Sequence, residues 1–195
     1  MGNKGKTFET SVLTAEEVTS LMDACSKRAP TGKRDRALIC FLWRSQLRIS
    51  EALRLKPSDI QPDGTVRVQI GKGKKYRTVA VDQKCLDVLA VWMEARSHLD
   101  GVNGRQPVFC TLRGGKIATA QIREKLPKLA AKAGIEKRVH AHGLRRTGAS
   151  EMVDEGISLL DIKEQLGHSS IATTDKYVQS INPKARLERM KQREW

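Results

Sequence analysis

The chain has 195 residues, 30% of them charged and 39% hydrophobic, enough for one well-cored domain and too apolar for wholesale disorder. Its 36 basic residues outnumber the 22 acidic ones, leaving a net charge of +14 that points to a polyanionic partner, nucleic acid first. No apolar run approaches the roughly 18 residues of a membrane span, Met1 to Lys6 hold no apolar signal core, and Cys25, Cys40, Cys85 and Cys110 form no Cys-x-x-Cys pair. A cytoplasmic protein with free thiols, no metal and no membrane contact is expected.

Residues 1–12 read as a loose basic arm. Thr14 and Glu17 form a capping box that opens a helix with Val18, Leu21, Met22 and Cys25 on one face. A second helix is expected after Pro30-Thr31-Gly32, with Leu38, Ile39, Phe41, Leu42 and Trp43 in the core. Arg48 to Leu55 reads as a short third helix stopped by Pro57. The period then changes to two: Val66, Val68 and Ile70 alternate with Arg67 and Gln69, and Val79 and Val81 with Thr78 and Ala80. Gly71-Lys72-Gly73-Lys74-Lys75 between them makes a hairpin with a basic tip. Helices follow at 83–97, 118–133, 142–155, 158–166 and 170–179, with Pro127 expected to kink or split the second of these. Gly167 reads as a helix C-cap and Ser170 as an N-cap, which leaves His168 in a tight turn between two helices. The pattern is one mainly helical domain with a small antiparallel sheet, an α+β fold, ending in a basic tail.

Several residues carry chemistry, and each also has a plain structural reading. Arg48 and Glu51 lie three apart on one helical face, the spacing of a salt bridge at the edge of a core. Lys72 at the ribbon tip can touch solvent or swing a charge into a groove. His142 and Arg145 share a face that could be simply polar surface. Tyr177 fits a half-buried core tyrosine as well as a nucleophile. His98 and His140 lack partners for a metal site. Taken together, two arginines, a lysine, two histidines and a tyrosine are the parts for phosphodiester transfer without metal. Guanidinium forks grip phosphate oxygens, and a phenol can attack phosphorus.

In order and spacing the chain resembles the tyrosine recombinases, or phage integrases, over about residues 13 to 180. Leu47-Arg48-Ile49-Ser50-Glu51 and Gly71-Lys72-Gly73 look like the first two boxes of that family. His142-Gly143-Leu144-Arg145 and Leu166-Gly167-His168, with Tyr177, look like the rest. The resemblance implies a catalytic domain at 13–180 acting on double-stranded DNA without cofactor. In it Arg48 and Arg145 would clamp the scissile phosphate, His168 would add a hydrogen bond, and Lys72 would protonate the leaving 5′ oxygen. His142 would assist proton transfer or orient the nucleophile, Glu51 would steady its neighbours, and Tyr177 would attack. Lys74, Lys75, Arg77 and Arg146 are the expected DNA contacts. The resemblance also implies a tetramer on DNA, monomeric when free, with the 181–195 tail exchanged between protomers. Two departures stand out: Gln46 occupies a position where relatives commonly have glycine, and the sequence begins almost where the catalytic domain of relatives would, as expected either of an excised fragment or of the compact class exemplified by the fimbrial-switch inversion recombinases. A type IB topoisomerase-like enzyme and a helix-turn-helix regulator built on 158–179 are the alternatives.

Overall fold

The computed structural model describes residues 12–69, 76–168 and 191. The expected arm apart from Val12, the ribbon tip with Lys72, Lys74 and Lys75, the 170–179 helix with Tyr177, and the tail apart from Lys191 lie outside the described residues. Thr14 closes its capping box as its sequence requires. Its hydroxyl accepts from the Glu17 amide (3.2 Å) and the Glu17 carboxylate accepts from the Thr14 amide (2.7 Å), launching α1, Ala15–Asp23. The next helix, α2 (Pro30–Arg44), begins earlier than its proline and glycine suggest. Pro30 occupies the start of the helix, where a missing N–H costs nothing, and Gly32 lies inside the first turn. One turn of helix, α3 (Ile49–Ala52), and a 3-10 turn, Pro57–Asp59, lead to the ribbon.

The strands β1 (Thr65–Gln69) and β2 (Tyr76–Ala80) pair antiparallel, with Val66 opposite Val79 and Val68 opposite Arg77. Asp82 caps α4 (Gln83–Ser97) by accepting from the Cys85 amide at 2.9 Å. An irregular stretch then threads the interior, where Val108, Phe109 and Cys110 are fully buried. Trp92 donates its indole N–H to the Val108 carbonyl at 2.8 Å, and the Val108 amide donates to the Leu55 carbonyl at 2.7 Å. No helical or strand period announces this segment, so the sequence is silent on it. Of the two expected outcomes at Pro127, a split does not occur: the next helix, α5 (Thr119–Lys132), runs through it. Ile122, Leu126 and Ala130 are buried on both sides of the proline, so packing holds together what the lost backbone bond would separate. Two helices close the stretch that ends at residue 168, α6 (Ala141–Asp154) and α7 (Leu159–Leu166).

Helix α2 is the axis, packing on α1, α4 and α6. Its Leu38, Phe41 and Leu42 meet Leu21, Trp92, Phe109 and Leu144 in one core, and a smaller cluster of Ala149, Val153, Ile162 and Leu166 glues α7 to α6. All four cysteines are buried and free. Among the described residues no helix is long and apolar enough to cross a membrane.

Candidate active site

The turn that leaves α2 sets the first arginine. Gln46 sits in the left-handed region at φ 49°, where the sequence departure had left the geometry open. Its side chain, 2% exposed as a residue, donates to the Trp43 carbonyl at 2.8 Å and accepts from Gln165 of α7 at 3.0 Å. Helix α6 reaches this turn through Gly148. A Cβ there would stand 2.0 Å from the Trp43 carbonyl oxygen, so only glycine permits the approach. Arg48 follows as the N-cap of α3, just outside the helix where the sequence placed it inside. Glu51 reaches back to it. The carboxylate accepts from the Arg48 amide at 2.8 Å and from its guanidinium at 3.1 Å. The salt-bridge reading of this pair therefore holds alongside any functional one, and half of the Arg48 side chain stays exposed.

Arg145 comes from the buried side of α6 and is 2% exposed. Its Nη2 donates to the Leu166 carbonyl at 2.7 Å and to Nε2 of His168 at 3.1 Å. Arginine has no acceptor, so Nε2 of His168 carries no proton in this arrangement and a neutral ring is protonated on Nδ1. The turn that holds His168 is made by Gly167, which adopts φ 63° and caps α7. Gly167 is also pressed by Arg77. An added Cβ would meet the Arg77 Nε at 2.5 Å, its Cζ at 2.6 Å and its Cδ at 2.9 Å.

The electrostatics show convergence. Burial, then the charges of Arg145, Arg48, His142 and Arg77, push the His168 imidazole down to about 4. His142 keeps an exposed edge, yet the protein behind it and then Arg145, His140, Arg146 and Arg48 hold it below its ordinary 6.5. Burial pulls the Glu51 carboxyl upward, but its bonds to Arg77 and Arg48 outweigh that and leave it below 4.5. Side chains from α3, β2, α6 and the turn after α7 thus act on one another at one place.

Arg48, Glu51, His142, Arg145 and His168 are brought together there. Arg146 is half-buried, and its charge reaches His142. Arg77 differs from the expected DNA contact: its fork is bound to Glu51 at 2.8 and 3.1 Å, and its side chain is 12% exposed. Strand parity held the signal, since 77, 79 and 81 share a face and Val79 and Val81 are buried. Gln165 was missed altogether. Its amide pairs with both the amide and the carbonyl of Ala80, at 3.0 and 2.8 Å, as a neighbouring strand would. It sits three residues after buried Ile162, at an apolar-face position where a polar side chain signals a partner.

The model of the phage integrase family matches residues 11–182. Tyrosine recombinase XerD of Chlorobaculum tepidum is 36% identical over 172 residues, covering 86% of this chain and 56% of the relative. Among solved structures, XerA recombinase superposes with a TM-score of 0.81 at 29% identity, covering 95% of this chain and 66% of that one. XerH site-specific recombinase, bound to palindromic difH substrate in a post-cleavage complex, gives 0.78 at 26% identity, covering 97% and 55%. The chain spans little more than half the length of the curated relative.

Proposed function

The chain belongs to the phage integrase family, and from that premise we propose that it is a site-specific DNA recombinase. It cuts and rejoins double-stranded DNA through a 3′-phosphotyrosyl intermediate, without metal or ATP. The observation that carries this reading is the cationic cluster around His168: buried Arg145 bonded to the imidazole, with the charges of Arg48 and Arg77 also felt there. Such a cluster is costly to assemble and becomes favourable when a phosphate enters and gains charge in a pentavalent transition state. The carboxylate beside it, Glu51, is occupied by Arg48 and Arg77.

In this mechanism Arg48 and Arg145 hold the non-bridging oxygens and His168 adds a hydrogen bond. The Tyr177 oxygen attacks phosphorus, the bond to the 5′ oxygen breaks, and Lys72 supplies the proton that oxygen needs. His142, neutral at pH 7, takes the phenol proton or orients the phenol. Return of the 5′ hydroxyl reverses each step, so the covalent link conserves the bond energy for religation. Exchange between two duplexes cuts four strands, one per subunit. The working assembly is therefore a tetramer on DNA, formed from protomers that are monomeric when free, in the cytoplasm, with the 181–195 tail linking neighbours. Residues 13–180 form the catalytic unit, and Lys74, Lys75 and Arg146 contact DNA beside it.

A pool of suicide duplexes, nicked next to the cleavage position and randomised around it, tests the chemistry in the presence of a chelator. A denaturant-stable protein–DNA adduct is expected from the native chain and none from Tyr177→Phe, which still binds the pool. An equal adduct yield from both proteins would remove Tyr177 as nucleophile. Binding without adduct from either would favour the regulator, and relaxation of supercoils without strand exchange the topoisomerase. Loss of residues 182–195 with no loss of assembly would remove the role given to the tail.

A further inference from the structure

We infer that Arg77 is a positioning residue of this site, a strut that joins the turn carrying Arg48 to the turn carrying His168; the inference rests on the recombinase reading above. Arg77 leaves β2 on the ribbon's inner face, opposite buried Val68. Its fork donates two hydrogen bonds to the Glu51 carboxylate, Nη1 to Oε1 at 2.8 Å and Nη2 to Oε2 at 3.1 Å. Glu51 in turn accepts from the Arg48 amide and guanidinium at 2.8 and 3.1 Å. Arg48, half exposed, is thereby held from behind by a carboxylate that Arg77 fixes in both distance and plane.

The other edge of the same guanidinium lies under the histidine turn. Arg77 Nε is buried and makes no hydrogen bond among the described residues. It faces Gly167, where an added Cβ would come within 2.5 Å of it. On either side of Gly167 are the two acceptors of Arg145: the Leu166 carbonyl at 2.7 Å and the His168 ring at 3.1 Å. One planar group therefore touches both halves of the clamp, Arg48 through Glu51 and Arg145 through the Gly167 turn. Arg77 is the second residue of β2, so the position of the strut also fixes that strand. Lysine would keep the charge and lose both the two-point fork and the flat surface beneath Gly167.

The reading separates cleanly from a phosphate contact and from a plain ion pair. Arg77→Lys and Arg77→Gln are compared with the native chain on the same nicked-duplex pool and by NMR titration of the free protein. DNA affinity and its salt slope are expected to stay native, because Glu51 already occupies the fork. Adduct formation is expected to slow by about 10²-fold in both variants, the cost of a displaced catalytic group. The His168 midpoint should rise in Arg77→Gln and stay nearer its native value in Arg77→Lys, although neither restores the rate. Weaker binding with a shallower salt slope would make Arg77 a phosphate ligand and overturn the strut, as would a native cleavage rate in Arg77→Lys. Should Arg77→Gln fail to fold, Arg77→Lys and Gly167→Ala address the same contact from its two sides. Their effects on rate are expected to be non-additive, and additivity would count against the strut. If the native chain yields no adduct on any duplex, the recombinase reading falls by itself. The NMR arm still decides the strut, since unchanged His168 and Gly167 signals in Arg77→Lys would refute it.

Discussion

Replacing Gln46 by glycine supplies the residue that the family resemblance leads one to expect at this turn, and it should nevertheless destabilise the protein. Glycine relieves a left-handed backbone at φ 49°, worth about 1–2 kcal/mol. It also frees a glutamine side chain whose immobilisation costs about 1.5 kcal/mol. Against this stand two buried hydrogen bonds, to the Trp43 carbonyl at 2.8 Å and from Gln165 at 3.0 Å, each contributing about 1 kcal/mol net. Two methylenes of a residue only 2% exposed add about 0.8 kcal/mol each, and glycine's looser unfolded chain costs a further ~0.7 kcal/mol. The losses come to about 4 kcal/mol and the gains to about 3, so Gln46→Gly is expected to lose about 1 kcal/mol, a fall of about 2–4 °C in Tm. Urea unfolding with an unchanged slope measures it. In a double-mutant cycle with Gln165→Ala, a coupling of about 1 kcal/mol should appear. A Gln46→Gly protein more stable than the native one, or strict additivity with Gln165→Ala, would refute the bridge between the two glutamines.

Gly148→Ala should cost about 3 kcal/mol or more, read as a drop in Tm, because its Cβ would meet the Trp43 carbonyl at 2.0 Å and the Gln46 amide at 2.4 Å. His168, pushed down to about 4 from 6.5, binds fewer protons folded than unfolded, so its contribution to stability is complete above pH 6.5 and is lost as pH falls toward 4. A phosphate bound beside it should raise that value. Titrating the protein with inorganic phosphate near pH 5.5 in buffers of different ionisation enthalpy should therefore show proton uptake, absent in His168→Gln. Glu51→Gln leaves the 12%-exposed Arg77 facing a neutral amide and should cost about 3 kcal/mol at pH 7 in denaturant unfolding. Because the Glu51 carboxyl is held below 4.5, its contribution is present above that pH and is lost as pH falls through the lowered value, so the gap between native and Glu51→Gln proteins should narrow in acid.

What the sequence made legible was local. The Thr14 capping box, the alternation of Val66 and Val68, and the glycine cap at Gly167 depend on neighbours a few residues away, and each stands where the pattern put it. The boxes carrying Arg48, Glu51, His142, Arg145 and His168 were legible because their order and spacing survive in the chain even though the residues meet only in the fold. The joints between those boxes were not legible in the same way. Arg77 binds Glu51 across 26 positions, and Gln165 binds Gln46 across 119. No window of local periodicity spans such a pair, so Arg77 read as one more basic residue on a basic ribbon.

Parity nevertheless limited the choices. A cation on the buried side of a strand cannot stay solvated, and an unpaired buried charge is costly enough that acceptors must be near it, carbonyls as for Arg145 or a carboxylate. Arg77, sharing a face with Val79 and Val81, therefore needs acceptors on a neighbouring element, and an acidic one matches its two-point fork. Glu51, two residues before buried Leu53 and at the first box, is the carboxylate that serves both Arg48 and the ribbon. The same logic applies to Gln165 on the inner side of α7, whose amide must find backbone partners and finds them on Ala80. Polar residues at apolar-phase positions are thus where one element of this site is fastened to another, and their partners lie on whichever element the fold brings opposite.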